Sequence, residues 1–184
     1  MIQSKKDLLY FIREDYNMNS HIKRTWILNI LFPNLILRFL KELRYCEYLI
    51  NVKNVPFRHV RLLFHKYNYK RLSIKLGYSI PYNCFGEGLH LPHYGGIIVN
   101  SNARIGRYCS IRPYTVIGNK KNGKNDEVPY IGDYVQIGCN VSIIGKVTIG
   151  DHVIIGAGTV VTKSIPSNNC VVGNPQRLIS RKNK

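Results

Sequence analysis

Isoleucine or valine returns every sixth residue through most of the second half of the chain. Ile105, Ile111 and Ile117 set the step, and after one interruption Ile131, Ile137, Ile143, Ile149, Ile155 and Val161 resume it. Glycine follows six of these residues, at Gly106, Gly118, Gly132, Gly138, Gly150 and Gly156. A second small or apolar side chain recurs at the same interval, at Ala103, Cys109, Thr115, Val135, Val141, Val147, Val153, Thr159 and Ile165. Two inward positions in every six residues fit neither a helix, which needs a period of about 3.6, nor a hairpin meander with turn clusters. The step predicts a parallel β-helix, whose short strands bury their aliphatic residues against the coils above and below.

The first eighty residues carry helical signals instead of repeats. They predict a short helix over Lys5 to Tyr16, a polar break over Asn17 to Ser20, and helices over 34–51 and 56–76, with Pro33 and Pro56 suited to first turns. Gly77 is the expected C-terminal stop of the last of these. Two regions follow: an α-helical N-terminal region over 1–79, and a β-helix over 80–184 with a basic tail. Between Ile117 and Ile131 fourteen residues replace six, so a polar, turn-rich loop over 119–130 must leave the coil.

A formal charge of +17 points to an anionic partner. The excess is spread along the chain, and no compact basic run or nucleic-acid motif is present, so nucleic acid is not the expected partner. Five scattered cysteines without a C-x-x-C pair read as reduced thiols, not as a disulfide framework or zinc site. The first residues lack the pattern of a secretory signal, and a cytoplasmic location is expected. Trp26 to Leu40, interrupted by Pro33 and Arg38, falls short of the roughly 20 residues that span a bilayer. With Lys23, Arg24, Lys41 and Arg44 around it, this stretch fits an interfacial helix on anionic lipid at the inner membrane surface. It fits a packed helix as well, and packing is favoured.

Of six histidines, His21, His59, His65 and His152 read as surface residues. His90 and His93 stand together in Gly86-Glu-Gly-Leu-His-Leu-Pro-His-Tyr-Gly-Gly-Ile-Ile-Val99, just before the regular coils. An imidazole, with a reference pKa of about 6.5, is suited to taking a proton from a hydroxyl near neutral pH. His93 fits that role, and it fits a plain coil corner equally well. Two nearby histidines without a third ligand make a zinc site the weaker reading, and no metal is expected.

The Gly-x-Gly-Leu-x-Leu-x-His93-x-x-Gly-Ile-Ile-Val segment, the six-residue repeats, the fourteen-residue step and the closing Val172-Gly-Asn-Pro-Gln-Arg177 together resemble the hexapeptide-repeat acetyltransferases. The likeness covers about residues 66 to 180. It is nearest to the serine acetyltransferase branch, including relatives suited to capsule and O-antigen sugars. The resemblance implies a left-handed, triangular β-helix that forms a homotrimer, with acetyl-CoA as co-substrate in the groove between subunits. It implies His93 as general base, with direct attack of the acceptor hydroxyl on the thioester and no cysteine nucleophile or metal.

Likeness to galactoside and maltose acetyltransferases implies cofactor contacts at Cys139, Ala157, Thr162, Lys163 and Arg177. Lys163 and Arg177 suit phosphates, and small residues leave room for pantetheine. Tyr94, Asp126 and Glu127 are the candidate acceptor contacts. Serine acetyltransferases carry an aspartate before the catalytic histidine and an Arg-His pair near the loop end, whereas this chain has Pro92, Glu127 and Val128. An acidic residue where a guanidinium would meet a carboxylate disfavours an amino acid. The expected acceptor is therefore a sugar or oligosaccharide hydroxyl in surface polysaccharide synthesis. Two alternatives stand beside it: a serine O-acetyltransferase of cysteine synthesis, and a non-catalytic basic scaffold bound to an anionic surface. Glu87, Asp126 and Glu127 remain open as the carboxylate that orients His93.

Overall fold

The structure, a computed structural model, describes residues 1–20, 33–120 and 127–179. Helices α1 (Lys5–Asn19), α2 (Leu35–Asn51) and α3 (Arg58–Leu76) precede thirteen short strands among the described residues. Ser4 caps α1 by accepting from the Asp7 N–H, and Asn34 caps α2 by accepting from Ile36 and Leu37. Gly77 ends α3 at φ 76°, where its missing Cβ makes the left-handed turn cheap. The polar break expected from Asn17 begins only at Ser20, because buried contacts extend α1 to Asn19. Neither proline occupies a first helical turn: Pro33 precedes the Asn34 cap, and Pro56 precedes Phe57, which turns the chain with φ 52°.

The strands form three sheets. One holds β1 (Tyr78–Ser79), β2 (Ile97–Val99), β5 (Thr115–Gly118), β8 (Ser142–Ile144) and β11 (Val160–Val161). A second holds β4 (Ser110–Ile111), β7 (Gln136–Ile137), β10 (Ile154–Ile155), β12 (Cys170–Val172) and β13 (Arg177–Ile179). The third holds β3 (Arg104–Ile105), β6 (Tyr130–Ile131) and β9 (Thr148–Ile149). Ile154 lies beside Gln136, Val160 beside Ser142 and Thr148 beside Tyr130, each eighteen positions apart. Three six-residue faces therefore make one coil. Across the loop, Arg104 pairs with Tyr130 and Ser110 with Gln136, twenty-six positions apart. The pairing of the coil thus keeps its register on both sides of the eight extra residues.

Every residue of the two repeating sets is 4% exposed or less, which makes the wall of the coil its own core. Two of these positions are threonine, tolerated because Thr115 and Thr159 donate their hydroxyls to the Arg112 and Gly156 carbonyls at 2.7 and 2.6 Å. At the corners the residue before the second inward position adopts a left-handed conformation, at Tyr108, Tyr114, Tyr134, Asn140 and His152. Tyr108, Tyr134 and His152 stack in sequence down one corner, with centroid spacings of 5.2 and 4.8 Å. The antiparallel strand β13 closes the far end on β12. Ile36, Phe39, Leu40 and Leu43 of α2 join the same apolar core as the coil.

Packing thus accounts for the described part of the Trp26–Leu40 stretch, while Trp26 to Phe32 lie outside the described residues. No helix among the described residues is long and apolar enough to cross a membrane. Arg44, read above as a lipid-facing flank, is instead fully buried. Its five N–H groups donate to Asp15 (2.7 and 3.2 Å), Glu47 (2.9 Å), and the carbonyls of Phe85 (3.1 Å) and Gly86 (2.6 Å). Burial acts to lower the Arg44 pKa, but Asp15 and then Glu47 more than offset it and hold the guanidinium above its usual range.

Candidate functional site

The chain around His93 is held from both sides. Asn19, at the end of α1, donates to the Leu89 carbonyl at 2.8 Å and accepts from the Leu91 N–H at 2.9 Å. Asp15 accepts from the Leu89 N–H at 2.9 Å, and Glu47 from the Asn83 N–H at 2.8 Å. The buried Arg44 cluster therefore fixes residues 83–91 against the helices. Beyond His93, Gly95 donates to the Leu76 carbonyl at 3.2 Å. The Tyr78 hydroxyl donates to the His93 carbonyl at 2.7 Å, and burial, then Tyr94, keeps this phenol above its usual pKa and protonated.

With its backbone fixed, the His93 side chain is exposed, and so is Tyr94. The ring points out of the coil, and among the described residues it has no hydrogen-bond partner. His90 differs: it is half-buried, with Nδ1 3.0 Å from the Ser110 hydroxyl. Of the histidines read as surface residues, His59 and His152 are exposed, although His152 stacks on Tyr134. His65 departs from that expectation, because it pairs with Glu42 at 2.6 Å and stacks on Tyr45 between α2 and α3. His21 lies outside the described residues.

His93 shares a corner with two of the expected cofactor contacts. A Cβ placed on Gly95 would meet Pro113 at 2.8 Å, so the turn after His93 lies directly against the turn at Pro113. One coil on, Asn140 donates to the Pro113 carbonyl at 3.0 Å, and Gly158 then donates to the Cys139 carbonyl at 2.9 Å. This ladder runs from the His93 turn through Pro113 and Cys139 to Ala157. At about 4.8 Å per step it is roughly 14 Å long. Cys139 is half-buried and Ala157 exposed, so the column presents backbone and small side chains.

The other three expected contacts gather at the end of the coil. Gln176 accepts from the N–H groups of Thr162 and Lys163 at 2.8 and 3.0 Å and donates to the Lys163 carbonyl at 3.1 Å. That clamp sets Arg177, the next residue, beside the Thr162-Lys163 turn, with all three side chains exposed. Glu127 is half-buried at the loop end, and Asp126 lies outside the described residues. The sequence reading missed Asp15, Asn19, Arg44 and Glu47. Only the Arg44–Glu47 spacing, one helical turn, hinted at them.

Residues 129–163 match a family model described as bacterial transferase hexapeptide (six repeats). Over that stretch the coils are similar to those of hexapeptide-repeat transferases. Serine acetyltransferase 2 of Arabidopsis thaliana is 36% identical over 110 residues, which is 59% of this chain and 34% of the relative. The chain thus spans about a third of the length of that relative. A serine acetyltransferase structure from Neisseria gonorrhoeae superposes with a TM-score of 0.75 at 26% identity, covering 99% of this chain and 70% of that one. The same enzyme in complex with serine gives 0.71 at 26% identity, covering 94% and 69%.

These matches correct the sugar acceptor expected from the sequence, because the matched relatives are named for serine. That expectation rested on Pro92, Glu127 and Val128 alone, and three positions are a narrow basis for assigning an acceptor. Of the three, Glu127 adjoins loop residues outside the described set.

Proposed function

We propose that the protein is an acetyl-CoA-dependent serine O-acetyltransferase. The observation that carries the reading is the shared corner: an outward imidazole at one end of a column whose other members, Cys139 and Ala157, leave room for an extended amide chain. The basic pair Lys163 and Arg177, assembled by Gln176 at the end of the coil, suits the phosphates of the same donor. Likeness to relatives named serine acetyltransferase supports both the donor and the acceptor.

In this reading His93 accepts the proton of the serine hydroxyl as the oxygen attacks the thioester carbonyl carbon. The tetrahedral oxyanion collapses, the carbon–sulfur bond breaks, and the imidazolium returns its proton to the departing thiolate. The anchored His93 carbonyl holds the backbone while leaving the ring exposed to the acceptor. Tyr94, Asp126 and Glu127 are assigned to the acceptor side. The coil is taken as left-handed, its mouth completed by a neighbouring copy in a trimer, and the chain as divided near residue 80.

The test follows thiol release from acetyl-CoA with L-serine, in wild type and in His93→Ala. Serine-dependent release, reduced about 10² to 10⁴-fold in the variant, supports the reading. Absence of serine-dependent release in the wild type defeats the acceptor, and full activity in the variant defeats the base.

A further inference from the structure

Helix α3 turns an apolar stripe to solvent. Val60, Leu63, Phe64, Tyr67 and Ile74 lie on one arc at helical spacing, with Phe57 at its start, and are 60% to 84% exposed. The opposite arc, with Leu62, Tyr69, Leu72, Ser73 and Leu76, is the one packed into the protein. Such a contiguous exposed stripe marks an interaction surface.

The charges around the stripe select its partner. The nineteen residues of α3 include six Lys or Arg and no Asp or Glu. Lys66 and Lys70 flank one side of the stripe, Arg61 and Lys75 the other, and Arg71 lies within it, its guanidinium 5.6 Å from the Tyr67 ring centroid. Next to the stripe, a groove between α2 and α3 is lined by Arg38, Lys41, Arg71 and Lys75 together with Leu35 and Leu72. The one carboxylate lining it, Glu42, is engaged by His65.

We propose that this face docks on an anionic lipid bilayer, with the stripe entering the headgroup and acyl boundary and the groove receiving lipid phosphates. Large apolar side chains bordered by cations on a surface helix are the physical requirement for interfacial binding. A second copy of the chain is disfavoured as occupant. A two-fold contact through this stripe would bring the basic flanks against their own equivalents. The proposal is independent of the acetyl acceptor.

The experiment is co-sedimentation of the full chain with vesicles of phosphatidylcholine mixed with phosphatidylglycerol, against vesicles of phosphatidylcholine alone, at low and high salt. The expected result is binding to the anionic vesicles only, weakened by salt. The double variant Arg71→Glu/Lys75→Glu should lose at least about tenfold in affinity. Phe64→Ser/Tyr67→Ser should also bind more weakly, while both variants keep wild-type circular dichroism and thiol release. Three results would overturn the proposal: no preference for anionic vesicles, a lipid-free oligomer that the Phe64 and Tyr67 changes dissociate, or binding to duplex DNA that loses the charge variant but ignores the apolar one.

Discussion

Arg44 grips Asp15 through two bonds, Nε to Oδ2 at 2.7 Å and Nη2 to Oδ1 at 3.2 Å, across twenty-nine residues of sequence. The fork joins α1 to α2, and the remaining three N–H groups extend the grip to Glu47 and to the chain at Phe85 and Gly86. Arg44→Ala leaves Asp15 and Glu47 buried without a counter-charge. It should destabilise the fold by about 3–5 kcal/mol in urea unfolding. Arg44→Lys should recover little of the loss, since an ammonium has three donors and no planar fork. Retention of wild-type stability in Arg44→Ala would show that the cluster contributes no net stability, and retention in Arg44→Lys would show that the planar fork is dispensable.

Asn19 acts on the site from a distance. Its side chain bonds Leu89 and Leu91, two to four residues before His93, and touches none of the cofactor column. Asn19→Ala should lower kcat by misplacing the imidazole while leaving the KM for acetyl-CoA near the wild-type value. Asn19→Asp keeps the acceptor for Leu91 but loses the donor to Leu89, so partial rescue is expected. An equal loss in folded fraction and in rate would reduce Asn19 to a purely structural residue.

Gln176 makes three bonds to the Thr162-Lys163 turn. Their removal in Gln176→Ala frees Arg177 to drift from Lys163. The KM for acetyl-CoA should rise by about fivefold to thirtyfold, the equivalent of one or two hydrogen bonds, with kcat within about twofold. An unchanged KM would detach this end of the coil from cofactor binding.

The cysteines should sort by burial. Burial pushes the Cys84 thiol up to about 11, and those of Cys46 and Cys109 up to about 12. All three thus remain protonated and inaccessible at pH 8, whereas Cys139 and Cys170 are half-buried. Iodoacetamide labelling followed by mass spectrometry should modify Cys139 and Cys170 first, and acetyl-CoA should protect Cys139 alone. Labelling of Cys139 at an unchanged rate in saturating acetyl-CoA would remove it from the proposed column.

Much of this architecture is written locally. One aliphatic residue every six positions determines both the buried wall and the three-sided coil, and the fourteen-residue step accounts for the twenty-six-position pairing across it. The Arg44 cluster was not legible, because its members come from residue 15, residues 44 and 47, and the backbone of 83–89. No periodicity links such distant segments. The stripe on α3 was obscured for the opposite reason. Val60, Phe64 and Tyr67 have the spacing of core residues, and a pattern of apolar positions does not say which face of a helix its neighbours cover.

The eighteen-residue turn gives this chain an unusual tolerance rule for insertion and deletion. Removing one hexad between Pro113 and Cys139 would rotate everything downstream by a third of a revolution, carrying Ala157 round to a different edge of the prism from His93. Excising a full revolution would preserve every facing and merely shorten the column. Reach along this molecule is therefore adjustable in whole revolutions, while the azimuth of each chemical group is fixed by arithmetic modulo three.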